Sequence, residues 1–392
     1  MSAPRLVSPI LDGFQLNETI SYRSGSVCCA VTEERSGGQF VAKILSLPAS
    51  DSQMDALLMT GAFSNRVDAN TYFKEQARSV LNEAKAMRHM ATLGGFIDFD
   101  SVQVVPAESG CGFDIYMLSP RRESLNTILG KEDLTHLEAL NMGLDLCAAL
   151  TACRHAGYIY SNLKPENVFR NGQHFRIGDL GLMPLSCVNN TPLPERYYSR
   201  YSAPELSTAG NALNDTADVY ALGMLLYQAY NGGTLPGPGD IIGKLYAPPL
   251  YADYEMAQII LRACALEPAI RWKNPEQMGR ALTLYLQRNG LRNSPIIPSI
   301  VRELSKQRAQ EVEEFLPEYE EEDEPAEESA EIMDLPAPAP RRPVHRRVSR
   351  PARRKFTFPT IKLSKTAIVV GALAAILIIE LVIGILVLTG RS

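Results

Sequence analysis

The sequence predicts an α+β domain followed by a charged tether and one transmembrane helix. Residues 12–290 mix strand-like and helical hydrophobic patterns and contain no long low-complexity run. Residues 366–390 are apolar apart from a few small polar residues and one charge, Glu380. A helix of about 25 such residues, rising about 1.5 Å per residue, is long enough to cross the hydrocarbon core of a bilayer.

Bulk composition is that of a folded domain. Of 392 residues, 45% are hydrophobic and 21% are charged, which suffices for a full core. The net charge of −5 gives no support for nucleic-acid binding, and we expect no nucleic-acid partner. The seven cysteines form no C-x-x-C pair, so reduced thiols in a cytosolic compartment are expected.

The segment between domain and span, residues 291–365, is predicted to be a disordered juxtamembrane linker, first acidic and then Pro- and Arg-rich. Ten Lys or Arg lie in residues 341–365, and Arg391 alone follows the span. The positive-inside rule therefore predicts a cytoplasmic N-terminal domain, a C-terminal single-pass anchor in the cell membrane, and contact of residues 341–365 with the anionic inner leaflet. A tail anchor in a eukaryotic organelle remains open.

Several short motifs occur in order along residues 12–290. "FVAKIL" reads as a strand that carries Lys43, and "ARSVLNEAKAMRHMATL" has helical spacing and carries Glu83. Next comes "GFDIYMLSP", with Met117 and Ser119, and then the loop "YSNLKPENV". "FRIGDLGL", with Asp179, and "YSAPEL" complete the series.

Together these motifs resemble those of eukaryotic-type protein kinases, which implies a two-lobed fold with a small β-rich lobe and a larger helical lobe. The resemblance implies ATP as ligand, with Mg²⁺ as its companion. It implies that Lys43 grips the ATP phosphates and pairs with Glu83 of the small-lobe helix, and that Met117 and Ser119 lie at the adenine end of the site.

The same resemblance assigns roles in the large lobe. Asn167 and Asp179 are the implied metal ligands, and Lys164 is the implied contact of the transferring phosphate. Arg271 is expected to form a structural ion pair with Glu205 of the "APE" sequence.

The small lobe departs from the family pattern in two places. Anchoring the glycine-rich pattern G-x-G-x-x-G-x-V on Val27 puts Ile20, Tyr22 and Gly25 at the glycine positions. We expect Gly25, Val27 and Ala42 to line the nucleotide site, and Ile20 and Tyr22 to hinder close approach to phosphate, with Tyr22 able to fold into the site. The extra segment "PASDSQMDALLMTGAFSN" is either a surface loop or a device that positions the small-lobe helix or binds a partner.

The largest departure is in the catalytic loop, where Tyr160, Ser161 and Asn162 replace the family's H-R-D. Asn162 marks the degenerate base position, because an amide carries no negative charge and cannot accept a proton as a general base. Ser161 lacks the charge with which an arginine binds an activation-loop phosphate.

Three hypotheses follow. The first is a membrane-anchored pseudokinase that binds ATP, with a weak or vestigial Mg²⁺ site, and acts as a signalling scaffold or allosteric regulator of protein partners at the membrane face. The second is a weakly active protein serine/threonine kinase acting on protein substrates there, or an enzyme that transfers another part of ATP. The third is an interaction module whose nucleotide site is vestigial. The organisation resembles that of bacterial single-span membrane Ser/Thr kinases without their external repeats.

Overall fold

Alternating strand patterns in the first part of the chain form a five-stranded antiparallel sheet. The computed structural model describes residues 8–297 except 24, 109, 132–133, 187–196, 208–212 and 291. The order in the sheet is β1-β2-β3-β5-β4. The strands are β1 (Phe14–Arg23), β2 (Ser26–Glu33), β3 (Gln39–Leu47), β4 (Ser101–Pro106) and β5 (Phe113–Pro120).

A long helix covers one face of this sheet. Two helices follow β3 in the chain, α1 (Asp51–Met59) and α2 (Arg66–Thr92). The side chain of Asn65 caps α2 by accepting hydrogen bonds from the N–H groups of Val67 and Asp68. Along α2, Ala77, Val80 and Ala84 are buried against the sheet. The helix therefore brings its residue Glu83 to the edge of the cleft beneath the sheet.

The extra segment after β3 is an ordered part of the small lobe. Ser50 caps α1, and Met54 of α1 is buried together with Ala69 and Phe73 of α2 and with Cys111. The surface-loop alternative is thus wrong, because these apolar residues form a small core of their own. Because of this small core, the first half of α2 is held from two sides.

The large lobe is built around one central helix. Thirteen of the sixteen residues of α5 are buried, which marks a helix surrounded by protein. A capping box of Thr135 and Glu138 starts the longer helix α4. The helices of this lobe are α3 (Leu125–Lys131), α4 (His136–His155), α5 (Asp215–Tyr230), α6 (Tyr254–Ala263) and α7 (Pro275–Asn289).

Short strands lie at the cleft side of the large lobe and at its surface, and they pair two by two as β6–β9, β7–β8 and β10–β11. They are β6 (Tyr158–Tyr160), β7 (Val168–Asn171), β8 (His174–Ile177), β9 (Leu182–Pro184), β10 (Ile241–Ile242) and β11 (Leu245–Tyr246). A β-rich small lobe and a helical large lobe are the architecture that the sequence predicts.

The folded region extends past the predicted boundary at residue 290. Pro295 forms a bridge with Thr135, and Ile296 is buried and donates its backbone N–H to the carbonyl of Leu134. None of the helices that the structure describes is long and apolar enough to cross a membrane. The rest of the predicted linker and the predicted transmembrane helix 366–390 lie outside the described residues.

Candidate functional site

An ion pair joins the two lobes at the centre of the cleft. The Nζ atom of Lys43, on β3, lies 2.6 Å and 2.5 Å from the two carboxylate oxygens of Asp179. Burial acts to raise the pKa of the Asp179 carboxyl, but the charge and hydrogen bond of Lys43 outweigh it and hold that pKa below its usual value. Burial likewise opposes the charged form of Lys43, yet Asp179 raises the pKa of this lysine overall. The two charges therefore stabilise each other.

Glu83 binds the turn after Asp179 and not the lysine, contrary to the sequence prediction. Its carboxylate accepts hydrogen bonds from the backbone N–H of Gly181, from that of Leu182 at 2.9 Å, and from the hydroxyl of Tyr197 at 3.1 Å. Among the described residues, the ion-pair partner of Lys43 is Asp179 alone. The physical reason is that buried N–H groups need an acceptor, and the Glu83 carboxylate supplies it.

The residue after Asp179 anchors this turn in the small-lobe core. Leu180 is 1% exposed and packs with Val80 and Ala84 of α2 and with Met117 of β5. Asp179 itself has a φ of 69°, in the left-handed region that few residues other than glycine adopt. Packing of Leu180 and the bonds made by Glu83 together hold that strained conformation.

Asn162 is buried directly against the same turn. Its side-chain Nδ2 donates a hydrogen bond of 2.7 Å to the backbone carbonyl of Leu180. Its Oδ1 is buried without a hydrogen-bond partner among the described residues. A Cβ atom on Gly181 would lie 2.7 Å from the Cβ of Asn162, so this close contact requires a glycine. Asn162 thus uses its donor group, which a carboxylate lacks, on the protein itself.

Tyr160, at the first position of the altered motif, also bonds to the segment that carries Asp179. Its hydroxyl donates to the carbonyl of Gly178 at 2.7 Å, and its ring packs edge-on against Phe96. Burial raises the pKa of Asp218, on α5, well above its usual range, and the backbone of Tyr160 acts to lower it. The central helix therefore supports the loop from below.

Asn167 and Lys164 lie in the second half of the loop and are both buried. The Nδ2 of Asn167 donates to the backbone carbonyl of Asn162 at 2.8 Å, which turns its Oδ1 to the other side of the amide. Burial lowers the pKa of Lys164, and Asp179 opposes that effect. Both predicted residues thus lie in the same cleft as Asp179.

Two oxygen-bearing side chains fit the implied magnesium ion. Mg²⁺ binds carboxylate and carbonyl oxygens together with substrate phosphates, and Asp179 and Asn167 offer these atom types from adjoining segments. No cluster of three or more His, Cys, Asp or Glu occurs in the described part of the chain.

The strand register corrects two predicted nucleotide-site residues. Lys43 is paired across the sheet with Cys28, whereas Ala42 is paired with Cys29 and Val27 with Ile44. Directly paired residues share a face, and neighbours along a strand face opposite sides. Val27 and Ala42 therefore pack in the core on the outer face, away from Lys43.

Cys28 and Val41 are the residues that sequence reasoning missed on the Lys43 face. Val41 lies two residues before the lysine and is paired with Ser119, and Lys43 itself is paired with Met117. The predicted Met117 and Ser119 thus do lie on the Lys43 face, with Met117 buried behind it. Side chains two residues apart along a strand share a face, so the position of Lys43 in the sequence is the signal that would have identified Val41.

The same register moves the glycine-rich pattern by one residue. Cys28 takes the place first given to Val27, so the three glycine positions fall at Ser21, Arg23 and Ser26, and none is a glycine. Tyr22 is paired with Val27 on the outer face and is 64% exposed, so it does not fold into the cleft.

Gly25 serves the hairpin turn between β1 and β2. It has a φ of 72°, and a Cβ there would lie 2.7 Å from that of Ala49. Its carbonyl accepts a hydrogen bond from the N–H of Ser46. These contacts explain the glycine, and its predicted contact with nucleotide stays a prediction.

The structural ion pair predicted in the large lobe is confirmed. Two nitrogens of Arg271 lie 2.7 Å and 2.8 Å from the two carboxylate oxygens of Glu205. The guanidinium also donates to the backbone carbonyls of Ala265, Leu266 and Thr216. Every charge of this pair is thus matched, although the arginine side chain is fully buried.

Comparison with known proteins agrees with the geometry. The protein kinase domain family matches residues 66–247. Serine/threonine-protein kinase Pkn1 of Myxococcus xanthus is 29% identical over 163 residues, or 36% of this chain and 23% of the relative. Serine/threonine-protein kinase PknG of Mycobacterium leprae is 27% identical over 163 residues, or 38% of this chain and 19% of the relative.

A plant relative, serine/threonine-protein kinase RUNKEL of Arabidopsis thaliana, is 34% identical over 113 residues, or 28% of this chain and 8% of its own length. This chain thus spans less than a quarter of the length of each of these relatives. The part that matches the family, residues 66–247, carries Asn162 and Asp179. Residues 66–247 thus match the protein kinase domain family, and the chain is similar to serine/threonine protein kinases over part of its length.

Proposed function

We propose that this chain is a pseudokinase that binds ATP in the cleft and acts as a signalling scaffold or allosteric regulator at a membrane. The observation that carries the proposal is the hydrogen bond from Asn162 to the carbonyl of Leu180. The side chain at the position of the catalytic base is an amide, is buried, and is committed to the protein. It has no means of accepting a proton from a substrate hydroxyl.

Retention of the ATP-binding groups supports the nucleotide part of the proposal. Lys43 is available for the α- and β-phosphates, while Asp179 and Asn167 supply oxygens for a metal ion bound with ATP. Metal and phosphates would compete with the Lys43–Asp179 ion pair. ATP binding then favours an arrangement in which that pair is loosened, which is how a ligand shifts a two-state equilibrium.

Membrane attachment is proposed from composition. Residues 366–390 contain one charge, and ten Lys or Arg precede them within residues 341–365. We place the kinase-like domain on the cytoplasmic face of the cell membrane, with the basic segment against anionic lipid and protein partners nearby.

A weakly active protein serine/threonine kinase is the second candidate. Leu180 is packed beneath α2, and Lys164 lies in the same cleft as Asp179, as the second candidate requires. Phosphoryl transfer depends largely on positioning and electrostatics, which leaves room for a slow reaction without the base.

Binding of ATP to the full-length protein in detergent tests the proposal first. Thermal unfolding is followed with ATP, with and without Mg²⁺, for the wild type and for Lys43→Met. We expect ATP to raise the midpoint of the wild type and to have a smaller effect on the variant. No shift of the wild type at millimolar ATP would eliminate the nucleotide switch and leave a pure interaction module.

A further inference from the structure

Arg23 stands where the family pattern requires its second glycine. It ends β1 at the tip of the hairpin and is paired with Ser26, two residues before Cys28. Since Cys28 faces the same side of the sheet as Lys43, strand alternation gives Ser26 and Arg23 that side as well. The guanidinium is therefore carried on the cleft side of the hairpin.

The positive charge of Arg23 influences the pKa values of groups on both sides of the cleft. Burial is the main cause that lowers the pKa of Lys164, and the positive charges of Arg23 and Lys43 add to that effect. Burial raises the pKa of the Cys28 thiol, and the charge of Arg23 acts to lower it. Arg23 thus lies close enough to influence groups in both lobes.

Two of the cleft cations form no ion pair with the part of the chain that the structure describes. Lys43 is paired with Asp179, and the Glu83 carboxylate accepts from the N–H groups of the turn. Neither Arg23 nor Lys164 forms an ion pair with any of the described residues, although Lys164 is only 8% exposed. Burial disfavours the charged form of Lys164, so an anion bound beside its ammonium group would stabilise that charge.

We propose that Arg23 is a phosphate-binding residue of this chain, which contacts the phosphates of a bound nucleoside di- or triphosphate together with Lys164. The inference rests on the nucleotide binding proposed above. It goes further by naming a side chain that contacts the phosphates, a contact that the glycine backbone ordinarily permits in the family pattern. Guanidinium groups bind phosphate oxygens in a fork of two parallel hydrogen bonds, so one arginine at the hairpin tip can take over the phosphate binding that glycine backbone N–H groups provide in the family pattern.

The test compares ligands with and without phosphates. Dissociation constants of ATP, ADP and adenosine are measured by titration calorimetry on the full-length wild type, Arg23→Ala and Arg23→Lys. Arg35→Ala is the matched control, because Arg35 is an exposed arginine at the opposite end of β2. We expect Arg23→Ala to weaken ATP and ADP about tenfold to a hundredfold, Arg23→Lys to weaken them less, and adenosine binding to stay unchanged.

The outcomes separate this inference from the proposed function. If the wild type binds ATP and Arg23→Ala binds it equally well or more tightly, the role of Arg23 is wrong and nucleotide binding stands. Equal losses for ATP and adenosine also overturn it, because they place the effect outside the phosphates. If the wild type binds neither ATP nor ADP, the proposed function fails and this inference fails with it.

Discussion

The amide of Asn162 donates a 2.7 Å hydrogen bond to the backbone carbonyl of Leu180. Leu180 follows Asp179, so this bond holds the turn that presents the implied metal ligand. An aspartate at position 162 would bring an acceptor against an acceptor. The substitution that removes the base therefore also adds a structural contact, and the loss of catalytic character is built into the packing of the cleft.

Asn162→Asp is expected to destabilise the fold by about 1–3 kcal/mol near neutral pH, because it removes a donor and buries a charge next to a carbonyl oxygen. Burial raises the pKa of the new carboxyl in the folded protein. The loss of folding stability is therefore largest at pH values above that raised pKa, and it becomes smaller as pH falls through it. Urea unfolding at about pH 8 and about pH 5 measures both effects.

Asn162→Ala is the control, since it loses the same donor without adding a charge. Its deficit is expected to be the same at both pH values. A stability of Asn162→Asp equal to that of the wild type at neutral pH would show that the bond to Leu180 contributes nothing.

Lys43 is expected to be coupled to Asp179 and not to Glu83. In double-mutant cycles with Lys43→Met, the coupling energy is predicted to be about 1–3 kcal/mol for Asp179→Asn and below about 0.5 kcal/mol for Glu83→Gln. The first value is kept modest because the paired side chains are 20% and 19% exposed and partly screened by water. A larger coupling with Glu83 would contradict the hydrogen bonds that its carboxylate accepts from the turn.

The pH dependence of the Lys43–Asp179 pair follows from the direction of the two pKa shifts. Folding lowers the pKa of Asp179 below 3.8, so this part of the stability is present above pH 3.8 and is lost as pH falls through the lower folded value. Folding raises the pKa of Lys43 above 10.5, so its part is present below pH 10.5 and is lost as pH rises through the folded value. In Lys43→Met the acid limb is expected to shrink, because the main cause that lowers the pKa of Asp179 is removed while burial still raises it; the Leu180 N–H and Lys164 still act to lower it.

Arg271 is expected to be the most sensitive charged position of the large lobe. Arg271→Ala removes the hydrogen bonds that the guanidinium donates to Glu205 and to three backbone carbonyls, which should cost about 3–5 kcal/mol. Arg280→Ala is the comparison, because its pair with Glu276 is exposed and should contribute at most about 0.5 kcal/mol. Similar losses for both variants, measured by denaturant unfolding, would contradict the stabilising role of the buried pair.

The order of motifs along the chain carried the prediction of the two-lobed fold, and the Arg271–Glu205 pair followed from it. Each motif is short, but the order of the motifs along the chain determines which strand, loop and helix must meet. The motifs predicted the register of the β1–β2 hairpin less well than the fold. Anchoring on Val27 rather than Cys28 shifted the hairpin by one residue, and a shift of one reverses every side chain.

Interactions that depend on distant segments were beyond the reach of local pattern. Glu83 was assigned to Lys43 by motif, whereas its actual partners include Tyr197, which lies more than a hundred residues away. The helix formed by the extra segment depends on burial of Met54 against Phe73, and the pattern of that segment alone did not distinguish a helix from a loop.

Phosphotransfer from ATP labelled at the γ-phosphate tests the central claim most directly. The wild type, Asp179→Ala and Asn162→Asp are compared at equal concentrations of folded protein with a generic protein substrate. We predict that the wild type transfers no more label than Asp179→Ala, with any gain confined to Asn162→Asp. Transfer by the wild type that disappears in Asp179→Ala would contradict the pseudokinase assignment and identify a working kinase.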